Sequence, residues 1–364
     1  MLNFDIPGVY DALDLVMRNY PDKFTPESKI EIDTLLSHCL DGLGDDSEKF
    51  LSTLYIRSLK SYIGDTGVNE HIYLKNYEIS QIQLFDILSR KFPFVKAAHD
   101  VVNGIILSRM YDKSDVTILD IGIGQGTQIC KLLSRIPDSA HYQHIRVVGI
   151  EPFESALRRA EFSIRQELSR FSFSTEFVGK RAFVEKLSVD DLRALLGEDP
   201  GAVIVNASLA LHHIQSLEER DRVISCLRSL LPDALLLTEP NVDHFEPDFY
   251  RRFQNCYRHF YHVFQVIDRL DAGGVDKNGL KLFFGREIED IIGRHNGDRY
   301  EKHEPGYRWV EKLNHHGFII DRDCFNPLME VGCGVKLTVD REGFLGFGYE
   351  TEIILAVICA TTSG

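Results

Sequence analysis

The stretch VTILDIGIGQGT, residues 116–127, has the residue types and spacing of a nucleoside-binding turn. An apolar run leads into Asp120, and glycines follow at alternate positions: Gly122, Gly124 and Gly126. Glycine costs backbone entropy, so three at this spacing indicate a tight strand-to-helix turn or a ligand lying on bare main chain. The next predicted strand, IRVVGIE, ends in Glu151, whose carboxylate can accept hydrogen bonds from both ribose hydroxyls. The alternative is that Glu151 only caps the following helix.

More polar side chains lie at or near the ends of later predicted strands. Asn206 and Glu239 are candidates to face the same edge of a sheet, where ligands of open α/β folds gather. Histidine accepts a proton near neutral pH, and a carboxylate can also act as a base. The candidate catalytic bases are therefore His212, His213 and Glu239, with His212 favoured. A capping role for one of the two histidines is the alternative. Glu185, after the third predicted strand, is a candidate adenine contact.

An aromatic stripe follows the fifth predicted strand at spacings of three and four. This period predicts a helix, and core packing accounts for most of its rings. Because the helix starts just past Glu239, we expect Phe249, Tyr250 and Phe253 to line an apolar pocket for a small organic molecule. No metal site is expected, since His303, His315 and His316 lack ligand spacing on one element and are predicted to be solvated.

Periodicity predicts strands alternating with helices from residue 116 onward, which is typical of a parallel sheet. The strands are predicted at 116–121, 145–150, 173–178, within 202–214 and at 234–241. The tail, with a strand at GFIIDRDC and the segments GFLGFGY and EIILAVICATT, is expected to complete a seven-stranded sheet whose last hairpin is antiparallel. Before them, helices are predicted from Thr25-Pro26, over 47–64 and over 80–92. We therefore expect an N-terminal helical cap at 1–92 and an α/β core at 93–364, with a helical insert at 245–297 contributing to the cap.

Composition narrows the class of protein. The 364 residues carry a net charge of −14, which disfavours a binder of nucleic-acid phosphates. Seven scattered cysteines without any C-x-x-C predict reduced thiols and no structural zinc, with Cys130, Cys226 and Cys359 as small core residues. Without a leader or a long apolar run, the chain is expected to be cytoplasmic and not bound to a membrane.

Several motifs in order resemble the GRAS domain family, best known as plant transcriptional regulators with a smaller bacterial branch. VTILDIGIGQGTQ resembles its VHIID motif, AVIVNASLALHHI its VVNxxxxLHxL strand, and LFFGREIEDIIGRHNGDRYEKHEP its PFYRE region. The tail, with Trp309 and GFLGFGYETEIILAVICAT, resembles its SAW region. The resemblance implies a Rossmann-like class I methyltransferase fold with a helical cap.

The chain departs from the plant pattern because it keeps the full glycine set and Glu151. The form D-x-G-x-G-x-G is the one that S-adenosylmethionine-dependent methyltransferases typically carry, and bacterial members with intact motifs have been proposed to methylate small molecules. The first hypothesis is therefore a bacterial-type S-adenosylmethionine-dependent methyltransferase with a small-molecule substrate, with homodimerisation left open. The second is a non-catalytic GRAS module that binds a protein partner or small ligand in the old cleft. A dehydrogenase-like nucleoside binder is third, and the glycine form argues against it.

Overall fold

The structure is a computed structural model, which describes residues 6–19, 25–40, 47–64, 88–137, 140–326 and 328–362. Its described residues group into two compact units. One unit contains the described residues up to Phe92 together with Val242–Glu304 and Tyr349–Ile354. The other, the sheet unit, contains Pro93–Asn241, Pro305–Gly348 and the described residues from Leu355 onward.

The first unit is helical. Its helices are α1 (Ile6–Asn19), α2 (Pro26–Leu40), α3 (Ser47–Gly64), α9 (Phe249–Asp268) and α10 (Gly274–Gly293). The aromatic stripe forms α9 as its period predicts, and Asp248 caps the helix by accepting a hydrogen bond from the Arg251 amide at 2.8 Å. Of the helix predicted over 80–92, residues 80–87 lie outside the described part of the chain, and 88–91 are helical.

The sheet unit alternates strands and helices. Its strands are β1 (Asp115–Ile121), β2 (His144–Ile150), β3 (Ser174–Lys180), β4 (Ala202–Ser208), β5 (Ala234–Pro240), β6 (Ile319–Ile320), β7 (Lys336–Val339), and most of β8 (Leu345–Tyr349) and β9 (Glu352–Thr361). The last residue of β8 and the first three residues of β9 belong to the helical unit. Its helices are α4 (Pro93–Met110), α5 (Thr127–Leu133), α6 (Glu154–Leu168), α7 (Val189–Leu196), α8 (Leu217–Arg228) and α11 (Gly306–His315). Helix α7 starts in a capping box formed by Ser188 and Asp191.

The strands form one mixed sheet in the order β3-β2-β1-β4-β5-β9-β8-β7, with β6 also paired to β9. β1 to β5 run parallel and β9 runs antiparallel to β5. The expectation of an α/β fold with a mixed sheet is confirmed, but the described residues form nine strands where seven are expected. Strand β6, with two residues, lies within the strand predicted at GFIIDRDC, whereas β7, with four residues, is not predicted.

The sheet order reverses direction between β1 and β4. Both neighbours of β1 are parallel to it, and β1 is buried from Val116 to Ile121. Open α/β sheets form a crevice at such a switch point, outside the carboxyl ends of the strands. The glycine turn follows β1 directly, so the fold places it at this crevice. In the described part of the chain, no helix has the length and apolar content that a bilayer crossing needs.

Candidate functional site

The three glycines after β1 all have left-handed backbone, with φ of 73°, 55° and 78° for Gly122, Gly124 and Gly126. At two of these positions a glycine is also required because a side chain would be too close to neighbouring atoms. A Cβ on Gly122 would lie 2.7 Å from the Ala210 Cβ, and one on Gly126 would lie 3.2 Å from the Ala160 Cα of helix α6. Around Gly124 the nearest heavy atom to such a Cβ is the Gly122 carbonyl oxygen at 4.0 Å. Gly124 is therefore the position of this turn that leaves room for a ligand.

Glu151 lies directly after β2 and is 6% exposed. Its Oε2 accepts a hydrogen bond from the Gly124 amide at 3.0 Å, and its Oε1 accepts one from the Phe153 amide at 3.0 Å. Burial raises the pKa of this carboxyl, while the two backbone donors act in the opposite direction. The side chain thus joins the glycine turn to the start of α6, and each oxygen keeps a further lone pair for another donor.

Asp120 and Asn206 face each other on neighbouring strands of the sheet. Asn206 Nδ2 donates a hydrogen bond to Asp120 Oδ1 at 2.6 Å, and both side chains are buried. Burial raises the pKa of Asp120 to about 7; the Asn206 hydrogen bond opposes that rise and the nearby Glu151 adds to it. Asn206 Oδ1 is buried without a hydrogen-bond partner. A buried oxygen of this kind is an acceptor that a water or a ligand can satisfy.

The predicted base candidates contact one another and the neighbouring backbone. His212 Nδ1 lies 2.6 Å from Glu239 Oε2, and Glu239 Oε1 accepts a hydrogen bond from the Leu211 amide at 2.9 Å. Arg220 donates to the His212 carbonyl at 2.5 Å, while the His213 ring packs at a tilt against His212, with ring centroids 4.0 Å apart. Glu239 is fully buried and His212 is 5% exposed. These contacts fasten the short helical turn after β4 to strand β5.

Glu185 lies in a one-turn helix, Val184–Lys186, and its side chain is half-buried. Its main-chain carbonyl accepts a hydrogen bond from the Arg222 guanidinium of helix α8. The contact that the structure gives to this residue is therefore made by its backbone.

The residues expected to line a substrate pocket, Phe249, Tyr250 and Phe253, pack within the helical unit. Phe253 is fully buried, with its ring 5.6 Å from that of Tyr55 in an edge-on arrangement. Phe249 is 6% exposed and packs against Tyr62, with ring centroids 5.0 Å apart. The Tyr250 hydroxyl donates a hydrogen bond to Asp14 on α1 at 2.8 Å. Core packing, the simpler interpretation of the aromatic stripe, explains these rings.

Sequence reasoning also missed a buried polar network in the helical unit. His303 is 1% exposed, although it is predicted to be solvated. Its Nδ1 lies 2.9 Å from His244 Nδ1, and its Nε2 lies 3.2 Å from Glu301 Oε2. Asp290 accepts a hydrogen bond from the Glu301 amide at 2.7 Å, and Arg299 donates to the His244 carbonyl at 2.8 Å. The many charged residues of this segment are typical of an exposed surface. Their burial is explained by the hydrogen bonds and ion pairs that they form with one another.

Comparison with known proteins decides the family. A sequence model described as the GRAS domain family matches residues 44–321. This chain belongs to the GRAS domain family. The solved structure of SCL7 from Oryza sativa has a TM-score of 0.76 at 22% identity, covering 97% of this chain and 99% of that one, and supports the GRAS fold.

The curated GRAS relatives are longer than this chain. Protein SLENDER RICE1-LIKE 1 of Oryza sativa subsp. japonica is 29% identical over 244 residues, which are 62% of this chain and 47% of the relative. Scarecrow-like transcription factor PAT1 of Arabidopsis thaliana is 26% identical over 64% of this chain and 50% of its own length. This GRAS chain spans about half the length of the curated relatives that it matches.

These findings overturn the first hypothesis for this GRAS protein. The predictions of a methyltransferase, of a bacterial-type member and of a small-molecule substrate are wrong. The curated relatives are plant GRAS proteins, and one of them is named a transcription factor. The comparisons favour the second hypothesis, a non-catalytic GRAS module.

Proposed function

We propose that this chain is a non-catalytic GRAS module that acts by binding a protein partner. The observation that carries the proposal is the family match over residues 44–321, together with relatives such as the transcription factor PAT1. A fold can host many functions, so the proposal also needs support from the site itself.

The site supports a binding role because its ionisable groups are engaged within the chain. Both oxygens of Glu239 are bonded to His212 and to the Leu211 amide. A base must reach the proton that it abstracts, and a fully buried carboxylate bonded on both oxygens is poorly placed for this. We therefore assign His212 and Glu239 the role of holding the loop after β4 in place.

Large apolar side chains on the surface are candidates for the partner contact. Phe162 on α6 is 73% exposed and Val275 on α10 is 84% exposed. An exposed aromatic ring such as Phe162 offers a large apolar contact to a partner, and an exposed aliphatic side chain such as Val275 offers a smaller one. We expect Phe162→Ala or Val275→Ala to weaken partner binding, whereas Glu151→Gln in the crevice leaves it unchanged.

The experiment starts with chemical crosslinking of the full chain in an extract and identification of the crosslinked protein. Its affinity is then measured by calorimetry for the wild type, for both surface variants and for Glu151→Gln. A saturable complex weakened by a surface variant supports the proposal. If neither surface variant weakens binding, or if no saturable complex forms, the proposal is contradicted.

For the crevice we propose a ligand of the S-adenosylmethionine type that is bound and not consumed. When bound to enzymes, this molecule supplies a methyl group, but here only its recognition is proposed. Glu151 would accept hydrogen bonds from the ribose, Gly124 would leave space beside the main chain, and Asn206 Oδ1 offers an acceptor. The support is the open space at Gly124 and the unpartnered oxygen of Asn206.

Calorimetry with S-adenosylmethionine and S-adenosylhomocysteine tests the crevice separately from the partner. We expect Glu151→Gln to weaken binding by about tenfold or more, because it removes a charged acceptor. The matched control is Glu154→Gln, three residues further on the exposed first turn of α6, which should bind as the wild type does. No binding by the wild type contradicts the ligand proposal and leaves the partner proposal standing.

A further inference from the structure

A second group of potential ligand atoms lies in the sheet unit, where β6 pairs with β9. Ile319 faces Thr361 and Ile320 faces Ala360 in antiparallel register. One step further, the Asp321 amide donates a hydrogen bond to the Cys359 carbonyl at 2.9 Å. Residues opposite each other in an antiparallel pair project to the same face, so Asp321 and Cys359 are cross-strand neighbours.

Cys324 completes the group from the turn that follows. Its Sγ donates a hydrogen bond to the Asp321 carbonyl at 3.0 Å, and its side chain also hydrogen-bonds Cys359. One ligand atom from each of Asp321, Cys324 and Cys359 lies within 4.8 Å of the others. Tetrahedral zinc with sulfur and oxygen ligands needs separations of about 3.3–3.8 Å between them, so a shift of about 1 Å would close the site.

The surroundings provide both access and charge balance. Cys359 is fully buried, while Cys324 and Asp321 are half-buried and open the group to solvent. Arg109, at the end of helix α4, forms an ion pair with the Asp321 carboxylate. With two thiols, one carboxylate and one guanidinium, the group is neutral; with two thiolates and Zn²⁺ it is neutral again.

We propose that Asp321, Cys324 and Cys359 form a binding site for a zinc ion, with water as the fourth ligand and Arg109 as the outer counter-charge. Two Zn–S bonds form as two S–H bonds break, and the two protons pass to solvent. No oxidant or reductant takes part. Because both thiols must lose their protons to bind zinc, zinc uptake should strengthen as the pH rises.

This site departs from the expectation of no structural zinc, which is based on the absence of C-x-x-C spacing. Here the ligands come from two segments that only the pairing of β6 with β9 brings together. The three protein ligands and an open fourth position differ from a closed structural site, in which four protein ligands surround the metal.

The test titrates the full, reduced chain with Co²⁺ as a spectroscopic probe and then displaces it with Zn²⁺ against a chromophoric chelator. We expect one equivalent of metal, a thiolate-to-cobalt charge-transfer band and release of two protons for each Zn²⁺ bound. Cys324→Ser and Asp321→Asn should each weaken zinc binding by about tenfold or more. Cys226→Ser, a half-buried cysteine of helix α8 outside the group, is the matched control and should bind as the wild type does.

Circular dichroism of each variant verifies that it is folded. Because two different ligands are replaced, the test does not depend on a single variant that fails to fold. The proposal is overturned if the wild type binds no stoichiometric metal, or if a folded Cys324→Ser variant keeps full affinity. It is also overturned if cobalt binds without the thiolate band.

Discussion

The packing around the glycine turn predicts that Gly122→Ala is more destabilising than Gly124→Ala. Both residues have left-handed backbone, which costs a non-glycine residue roughly 1–2 kcal/mol. At Gly122 the new methyl group would also meet the Ala210 Cβ at 2.7 Å, and overpacking of this kind adds about 1–3 kcal/mol. At Gly124 the nearest atom is 4.0 Å away, so only the backbone cost applies.

The assay is urea unfolding followed by the fluorescence of Trp309, the single tryptophan of the chain. This side chain is fully buried in the sheet unit beneath the Arg220 guanidinium, so its signal reports on that unit. We expect a loss of about 2–5 kcal/mol for Gly122→Ala and about 1–2 kcal/mol for Gly124→Ala, with equal slopes. Equal losses in the two variants would refute the argument that Ala210 fills the space above Gly122.

Three further predictions concern buried side chains. The pKa of Asp120 is about 7 in the folded chain and lower in the unfolded chain, so its contribution to stability falls as the pH rises between these two values. Asp120→Asn should therefore be more stable than the wild type at about pH 8. The difference in the free energy of unfolding, measured in urea, should shrink toward about pH 4. Glu239→Gln removes the carboxylate that pairs with His212 and should lower the free energy of unfolding by about 1.5–3 kcal/mol, measured by tryptophan fluorescence. No change would contradict a stabilising role for the pair of His212 and Glu239. Phe253→Ala should cost about 3–5 kcal/mol and Tyr250→Phe about 1 kcal/mol in thermal unfolding followed by near-ultraviolet circular dichroism, and similar costs would contradict the core role of Phe253.

The sequence predicted the central parallel strands β1, β4 and β5 well because their residues are buried on both faces. Val116–Leu119 of β1 and Ala202–Val205 of β4 are continuous apolar or β-branched runs, and such runs leave little choice of structure. The apolar residues of GFIIDRDC predicted the strand that contains β6, but β7 carries too few residues for a period to appear, so its place in the sheet depends on pairing with β8. This is why the strand count was low although the α/β class with a mixed sheet was predicted.

The candidate site was harder to predict because its chemistry depends on contacts between distant segments. The glycine spacing located the turn but did not show that Ala210 lies over Gly122. The aromatic period predicted helix α9, yet the side that Phe253 covers is decided by Tyr55 of α3. Local spacing also says nothing of Cys324 and Cys359, which the order of the strands brings together.

The central claim is that this GRAS chain binds a protein partner without performing chemistry on it. The most direct measurement uses S-adenosylmethionine labelled in its methyl group, the purified chain and the crosslinked partner, with complex formation and label transfer counted in the same sample. We predict a saturable complex whose affinity is the same for the wild type and for Glu151→Gln, with no label in the partner or in any small molecule. Label that accumulates with turnover in the wild type and not in Glu151→Gln would contradict this claim.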